Sequence, residues 1–140
     1  MPLLIQVTQN LLTPEGEREV LPRMAAALLK VHGLSNNAFM TPIVIGHLDI
    51  YDEKHCYVGG KPQSLAVVEV KVPAITFPNQ EVKNAFVAEA TDIIHSLSAG
   101  SHPKERTFVN VVHALDGTWG IGGKAFTNTE LGAAIQAGAN

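Results

Sequence analysis

Charged residues are scarce in this sequence. Asp, Glu, Lys and Arg make up 16% of its 140 residues, whereas hydrophobic residues make up 46%, and an ordinary soluble domain carries about 25% charged residues. A chain of this length is expected to form one domain. Because a monomer with so little charge would expose much apolar surface, the composition favours association with further subunits.

Other absences restrict the class of protein. The single cysteine, Cys56, excludes an internal disulfide and fits a reducing compartment. A net charge of −3 gives no basic surface for nucleic acid. The longest uncharged stretch, residues 31–48, is interrupted by glycine and proline, which argues against a membrane span, and the first residues lack the features of a signal peptide. We therefore expect a cytoplasmic protein without a nucleic-acid or membrane partner.

Most familiar catalytic motifs are also missing. The sequence contains no phosphate-binding loop, no dinucleotide fingerprint, no nucleophile elbow and no His-Glu-x-x-His motif. Its six histidines do not form close pairs at the spacing of metal ligands. We therefore expect neither a metal nor another cofactor.

What the sequence does contain is one pattern that occurs twice. In the first unit, the apolar run at residues 3–7 predicts a strand, and Thr13-Pro14 predicts the start of a helix that ends near Gly33. Pro22 predicts a kink in that helix. Residues 39–48 then predict a second strand, with Pro42 near its start or at a sheet edge.

The second unit repeats this order. Residues 65–70 predict a strand, Asn79 caps a helix that ends near Gly100, and residues 107–115 predict the last strand. Each unit closes on a Gly-Gly-Lys turn. We interpret the chain as a tandem duplication, with pseudo-repeats at residues 2–63 and 64–126 and a C-terminal tail at 127–140.

This duplication predicts the fold class. Two β-α-β units give an α/β (α+β) domain with a four-stranded mixed sheet and two helices on one face, because each crossover within a unit is parallel and right-handed. The other face of the sheet has no helix to cover it. We expect that face to meet another subunit.

Pro2 is the candidate catalytic residue. If Met1 is removed, Pro2 becomes an N-terminal secondary amine at the start of a strand. Burial beside apolar side chains disfavours the charged form of an amine and lowers its pKa, so the nitrogen can serve as a base near neutral pH. If Met1 is retained, the Pro2 nitrogen is a tertiary amide without basicity.

The arrangement resembles the tautomerase superfamily, in which a proline behind the initiator starts a β-α-β unit. The resemblance covers Met1-Pro2-Leu3-Leu4, the internal duplication and the segment Trp119-Gly120-Ile121-Gly122-Gly123, which is similar to the terminal turn of 4-oxalocrotonate tautomerases. The doubled length is similar to the cis-3-chloroacrylic acid dehalogenase and malonate semialdehyde decarboxylase branches. The resemblance implies a homotrimer with Pro2 in a pocket near a subunit boundary.

The resemblance also suggests the roles of other residues. Pro2 would be the general acid or base, Trp119 an aromatic pocket wall, and Asn110 the strand asparagine near the amine in the macrophage migration inhibitory factor branch. Structural roles in the core for Trp119 and on the strand surface for Asn110 remain the alternatives. We include Thr76 as a further candidate for substrate binding.

Departures from the family pattern concern the substrate's carboxylate. Pro73 and Thr76 stand where the decarboxylase and dehalogenase branches have arginines, and Leu12 stands where single-unit tautomerases have one. Carboxylate binding would then fall to Lys71, to Arg106 or to backbone donors. The resemblance thus implies a keto-enol tautomerase acting on a small 2-oxo acid or enol. The alternatives are a hydratase or dehalogenase on acrylate-type acids, and a non-catalytic trimer.

Overall fold

A four-stranded sheet carries two long helices on one face in the computed structural model, which describes residues 1–139. The elements in chain order are β1 (Pro2–Thr8), α1 (Pro14–Val31), β2 (Ile45–Tyr51), β3 (Tyr57–Val58), β4 (Lys61–Pro62), β5 (Ala66–Pro73), α2 (Gln80–Leu97), β6 (Thr107–Ala114), β7 (Trp119–Ile121), β8 (Lys124–Phe126) and α3 (Asn128–Ala137). The predicted α+β class and the tandem β-α-β order are confirmed.

Both long helices begin at the predicted N-caps. The Thr13 hydroxyl accepts a hydrogen bond from the Gly16 N–H at 2.9 Å, and the Asn79 side chain accepts one from the Val82 N–H at 2.9 Å. These bonds satisfy backbone donors that a helix leaves unpaired in its first turn. Pro22 lies inside α1, and the helix continues past it to Val31.

The sheet has the strand order β2-β1-β5-β6. Strands β1 and β2 run parallel, as do β5 and β6, while β1 and β5 are antiparallel at the centre. The sheet is therefore mixed, as the duplication predicts. Each β-α-β unit contributes one parallel pair, and the two units join through their first strands.

The predicted second strand is wrong in its bounds. Residues 39–48 do not form one strand, because Thr41–Ile43 is a 3-10 turn that contains Pro42 and the strand runs from Ile45 to Tyr51. A proline has no N–H to donate to a ladder. The strand starts beyond the proline and continues through Asp49 to Tyr51.

The two faces of the sheet differ in what covers them. Side chains alternate along a strand, and Leu3, Ile5 and Val7 of β1 are buried beneath α1 and α2 in one continuous core. On the face without helices, apolar side chains stay exposed. Ile45 is 55% exposed and Phe108 is 45% exposed. The expectation of an uncovered apolar sheet face agrees with these values.

One short hairpin follows the second strand of each unit. The hairpin of β7 and β8 turns through Gly122 and Gly123 at φ of 58° and 84°, and that of β3 and β4 turns through Gly59 and Gly60 at φ of 59° and 77°. A two-residue turn of this kind needs positive φ at both positions, which glycine adopts without strain. After β8, the helix α3 starts at a capping box formed by Thr127 and Glu130.

None of the helices within residues 1–139 combines the length and the apolar character needed to cross a membrane.

Candidate active site

Pro2 stands in a row of residues that crosses all four strands. It pairs with Ile45 of β2, and the antiparallel register Leu3↔Val70 brings Lys71 of β5 to its other side, next to Val112 of β6. Since Leu3 faces the helices, Pro2 faces the uncovered side of the sheet. Neighbouring strands lie about 4.8 Å apart, so the Lys71 backbone lies close to Pro2.

A cavity of about 580 Å³ opens over this row. Ligand sites in proteins commonly fall between about 300 and 1,000 Å³, so its size suits a small organic molecule. Its walls come from four parts of the chain: the start of β1, the turn before β2 with the first residue of that strand, Lys71 in β5, and the end of β6 with β7. Most of the lining residues are apolar, namely Met1, Pro2, Pro42, Ile43, Ile45, Val112, Ala114, Trp119 and Ile121.

Lys71 supplies the positive side chain of the cavity. Among the described lining residues, it is the only Lys or Arg, and no Asp or Glu is present. Its Nζ lies 3.4 Å from Oε1 of Glu69, and its side chain is 49% exposed. A pair this exposed contributes little to stability, so the ammonium remains available to an anionic ligand.

Met1 precedes Pro2 in the chain and lines the cavity with it. The residue is 2% exposed, and its terminal amine donates a hydrogen bond to the Ile43 carbonyl. The Ile45 N–H in turn donates to the Met1 carbonyl at 3.1 Å. Burial among these groups lowers the pKa of the Met1 amine from 8.0 to about 6.

Trp119 forms a wall of the cavity, at the position that the resemblance suggested. It opens β7, packs against the core and is partly buried. Its indole Nε1 is buried without a hydrogen-bond partner. The Gly122-Gly123 turn fixes the hairpin that presents this ring.

The structure brings Pro2, Lys71 and Trp119 together, and it places the other predicted site residues elsewhere. The buried Thr76 hydroxyl donates to the Pro73 carbonyl at 2.8 Å. Asn110 lies exposed in the middle of β6, away from the lining of the cavity. Arg106 lines a separate polar pocket with Thr8, the last residue of β1. That pocket lies about 20 Å from Pro2, given the length of a seven-residue strand.

The sequence alone did not indicate several residues that line the cavity. Ile43, Ile45 and Val112 line the cavity as ordinary apolar residues of a turn and two strands. The parallel register that pairs Pro2 with Ile45 would have identified one of them. That register depends on the residue at which β2 begins. The predicted strand began at residue 39, whereas β2 begins at Ile45.

No group of three or more His, Cys, Asp or Glu side chains suited to a metal ion occurs within residues 1–139.

Solved structures similar to this chain share its doubled architecture. A native fused 4-OT superposes with a TM-score of 0.75 at 22% identity, over 94% of this chain and 99% of that chain. A fused 4-OT symmetric trimer gives 0.77 at 16% identity over the same shares. Malonate semialdehyde decarboxylase inhibited by 3-bromopropiolate gives 0.66 at 16% identity, over 87% of this chain and 89% of that chain.

The chain therefore has the fused double β-α-β fold of the tautomerase superfamily. No protein-family model matches the sequence, and no curated protein matches it in sequence.

Proposed function

We propose that this protein is a keto-enol tautomerase that uses Pro2, made N-terminal by removal of Met1, as general base and acid on a small 2-oxo acid or its enol. The observation that carries the proposal is the position of Pro2, which lies in an apolar cavity beside one ammonium group. The fold supports the proposal, since 4-OT enzymes and a decarboxylase share it.

The reaction needs one group that exchanges a proton with carbon. The neutral Pro2 nitrogen takes a proton from the carbon next to the keto group, and the electron pair of that C–H bond forms the enolate. The enolate oxygen then receives a proton from the Pro2 ammonium or from water, which gives the enol. Ketonisation of the enol is the same sequence in reverse. Apolar walls keep the amine neutral, because they disfavour its charged form.

Lys71 gives the substrate its orientation in this proposal. A carboxylate next to the keto group would pair with the Lys71 ammonium, one residue along β5 from the partner of Leu3. The hydrogen bonds of a charged pair are shorter and stronger than those between neutral groups. The rest of the substrate would contact apolar side chains.

We also propose a homotrimer. Several similar fused 4-OT structures are named as trimers, and this chain exposes Ile45, Phe108 and Val112 on the face of its sheet that no helix covers. Contact between subunits through this face would bury those side chains and add walls to the Pro2 cavity. Light scattering should give a mass near three times 14.9 kDa.

Ketonisation of phenylenolpyruvate tests the proposed activity. The assay uses protein whose intact mass shows that Met1 is absent. Pro2→Ala should lower kcat/KM by at least ~100-fold, within the usual contribution of a general acid or base. Pro62→Ala is the matched control, because Pro62 lies exposed in β4 outside the cavity. Full activity in Pro2→Ala would refute the proposal.

A further inference from the structure

Met1 belongs both to the core and to the cavity. It is 2% exposed and packs within the main hydrophobic cluster, yet it lines the cavity next to Pro2. Backbone hydrogen bonds with Ile43 and Ile45 hold it in place. Its side chain is an unbranched apolar chain that fills irregular space in cores. Removal of this residue would therefore vacate a space continuous with the cavity.

We propose that removal of Met1 opens an apolar subsite, and that this subsite takes the unbranched alkyl or aryl tail of a monocarboxylic substrate whose carboxylate lies at Lys71. The inference rests on the proposed function, because it requires Pro2 to be the first residue of the active chain. Removal of Met1 then has two effects: it frees the Pro2 amine, and it makes room for the substrate tail, which determines specificity.

The surroundings of Met1 favour an uncharged tail. Ile43 and Ile45, whose backbone groups hydrogen-bond to Met1, line the cavity, and no carboxylate side chain lies among the described lining residues. The space left by the Met1 side chain binds apolar groups, while water replaces the Met1 backbone as the partner of the Ile43 carbonyl and the Ile45 N–H. A tail in the void regains the contacts that the methionine side chain made.

The charge of the cavity favours a single carboxylate. Lys71 is the only Lys or Arg among the described lining residues, and His113, which also lines the cavity, donates from Nε2 to the Thr76 carbonyl. A second carboxylate in the space left by Met1 would face no further Lys or Arg side chain among the described lining residues, which makes its burial costly. The geometry thus disfavours dicarboxylic acids and favours monocarboxylic acids with an apolar substituent.

Saturated carboxylic acids test the subsite without any reaction. The series is propanoate, butanoate, pentanoate and hexanoate, and the signal is the fluorescence of Trp119, the single tryptophan of the chain. Two preparations are compared: chain without Met1, from cells that overproduce methionine aminopeptidase, and chain with Met1, from cells in which that enzyme is inhibited. Intact mass identifies each preparation.

The expected result is a dependence on tail length in one preparation. Without Met1, affinity should rise about fourfold for each added methylene, the value for burial of one CH₂. With Met1 in place, affinity should change little along the series. Hexanedioate, which has the length of hexanoate and a second carboxylate, should bind the Met1-free chain at least ~10-fold more weakly than hexanoate.

Other results would overturn the subsite. If the affinity of the Met1-free chain does not change with tail length, the vacated space has closed. If affinity rises equally with tail length in both preparations, the tail binds elsewhere. Loss of folded structure without Met1, seen by circular dichroism, also refutes the inference. Calorimetric titration repeats the comparison without relying on fluorescence. Because these ligands do not tautomerise, the subsite and the proposed activity can fail separately.

Discussion

His32 accepts a hydrogen bond at Nε2 from the backbone N–H of Phe77, at 3.0 Å. The other ring nitrogen, Nδ1, donates to the Leu28 carbonyl at 2.8 Å, so this geometry requires a neutral ring. The carbonyl of the same peptide group, that of Thr76, accepts a hydrogen bond from Nε2 of His113 at 3.1 Å. Two histidines thus bond to the peptide group between Thr76 and Phe77, in the turn after β5. Phe77 has an unfavourable φ of 52° there.

The stability of the protein should depend on pH through His32. Burial lowers the pKa of His32 below 6.5, so the unfolded chain binds the proton more readily than the folded chain does. The free energy of unfolding should therefore be highest above about pH 6.5 and fall as the pH drops from 6.5 through the pKa of the folded state. Urea unfolding at pH 7.5 and at pH 5.5 measures the difference.

Two variants isolate this contribution. His32→Gln keeps an acceptor for the Phe77 N–H without a group that titrates there, so its loss of stability between the two pH values should be smaller than that of the unchanged protein. His55→Gln, at an exposed position in the turn after β2, should keep the full loss. An equal loss in His32→Gln and in the unchanged protein would contradict the assignment to His32.

Lys71→Gln should weaken the binding of a 2-oxo acid. Loss of one charge-assisted hydrogen bond costs about 1.5–3 kcal/mol, so we expect KM to rise by about 10–100-fold. The value of kcat should change less, because Pro2 still transfers the proton. Lys61→Gln, in the exposed β4, is the matched control. A KM that stays unchanged in Lys71→Gln would show that another group binds the carboxylate.

Gly16→Ala should destabilise the contact between the two long helices. A Cβ at Gly16 would lie 2.6 Å from the Leu97 carbonyl oxygen, which accepts a hydrogen bond from the Thr13 N–H. Forcing an atom into such a space costs about 1–3 kcal/mol. Gly132→Ala in α3 meets no atom within 4 Å and should be neutral or stabilise by up to about 1 kcal/mol.

Thermal unfolding of both variants tests this contact. A Gly16→Ala protein as stable as the unchanged chain would show that α1 can shift away from α2 at no cost.

The sequence predicts those parts of this fold that depend on local chemistry. Thr13 and Asn79 act as caps through bonds to residues three positions away, and the paired glycines define the turns by their backbone freedom alone. Such signals are complete within a few residues, so they can be read without the rest of the chain.

The site was predictable only in part, because its geometry depends on distant pairing. Pro2 meets Ile45 through a register that spans more than forty residues, and no local pattern shows it. The burial of Met1 depends on Ile43 in the same way. Thr76 lies in a buried turn and Arg106 at the far end of the sheet, and these positions appear only in three dimensions.

The most direct test of the account compares the chain without Met1 and the chain with Met1 in ketonisation of phenylenolpyruvate. The two proteins differ by one residue, and only the first has a basic nitrogen at Pro2. We predict that activity rises in proportion to the fraction of Met1-free chain measured by intact mass, with the Met1-containing protein at least ~100-fold slower. Equal rates in the two preparations would contradict a catalytic role for Pro2.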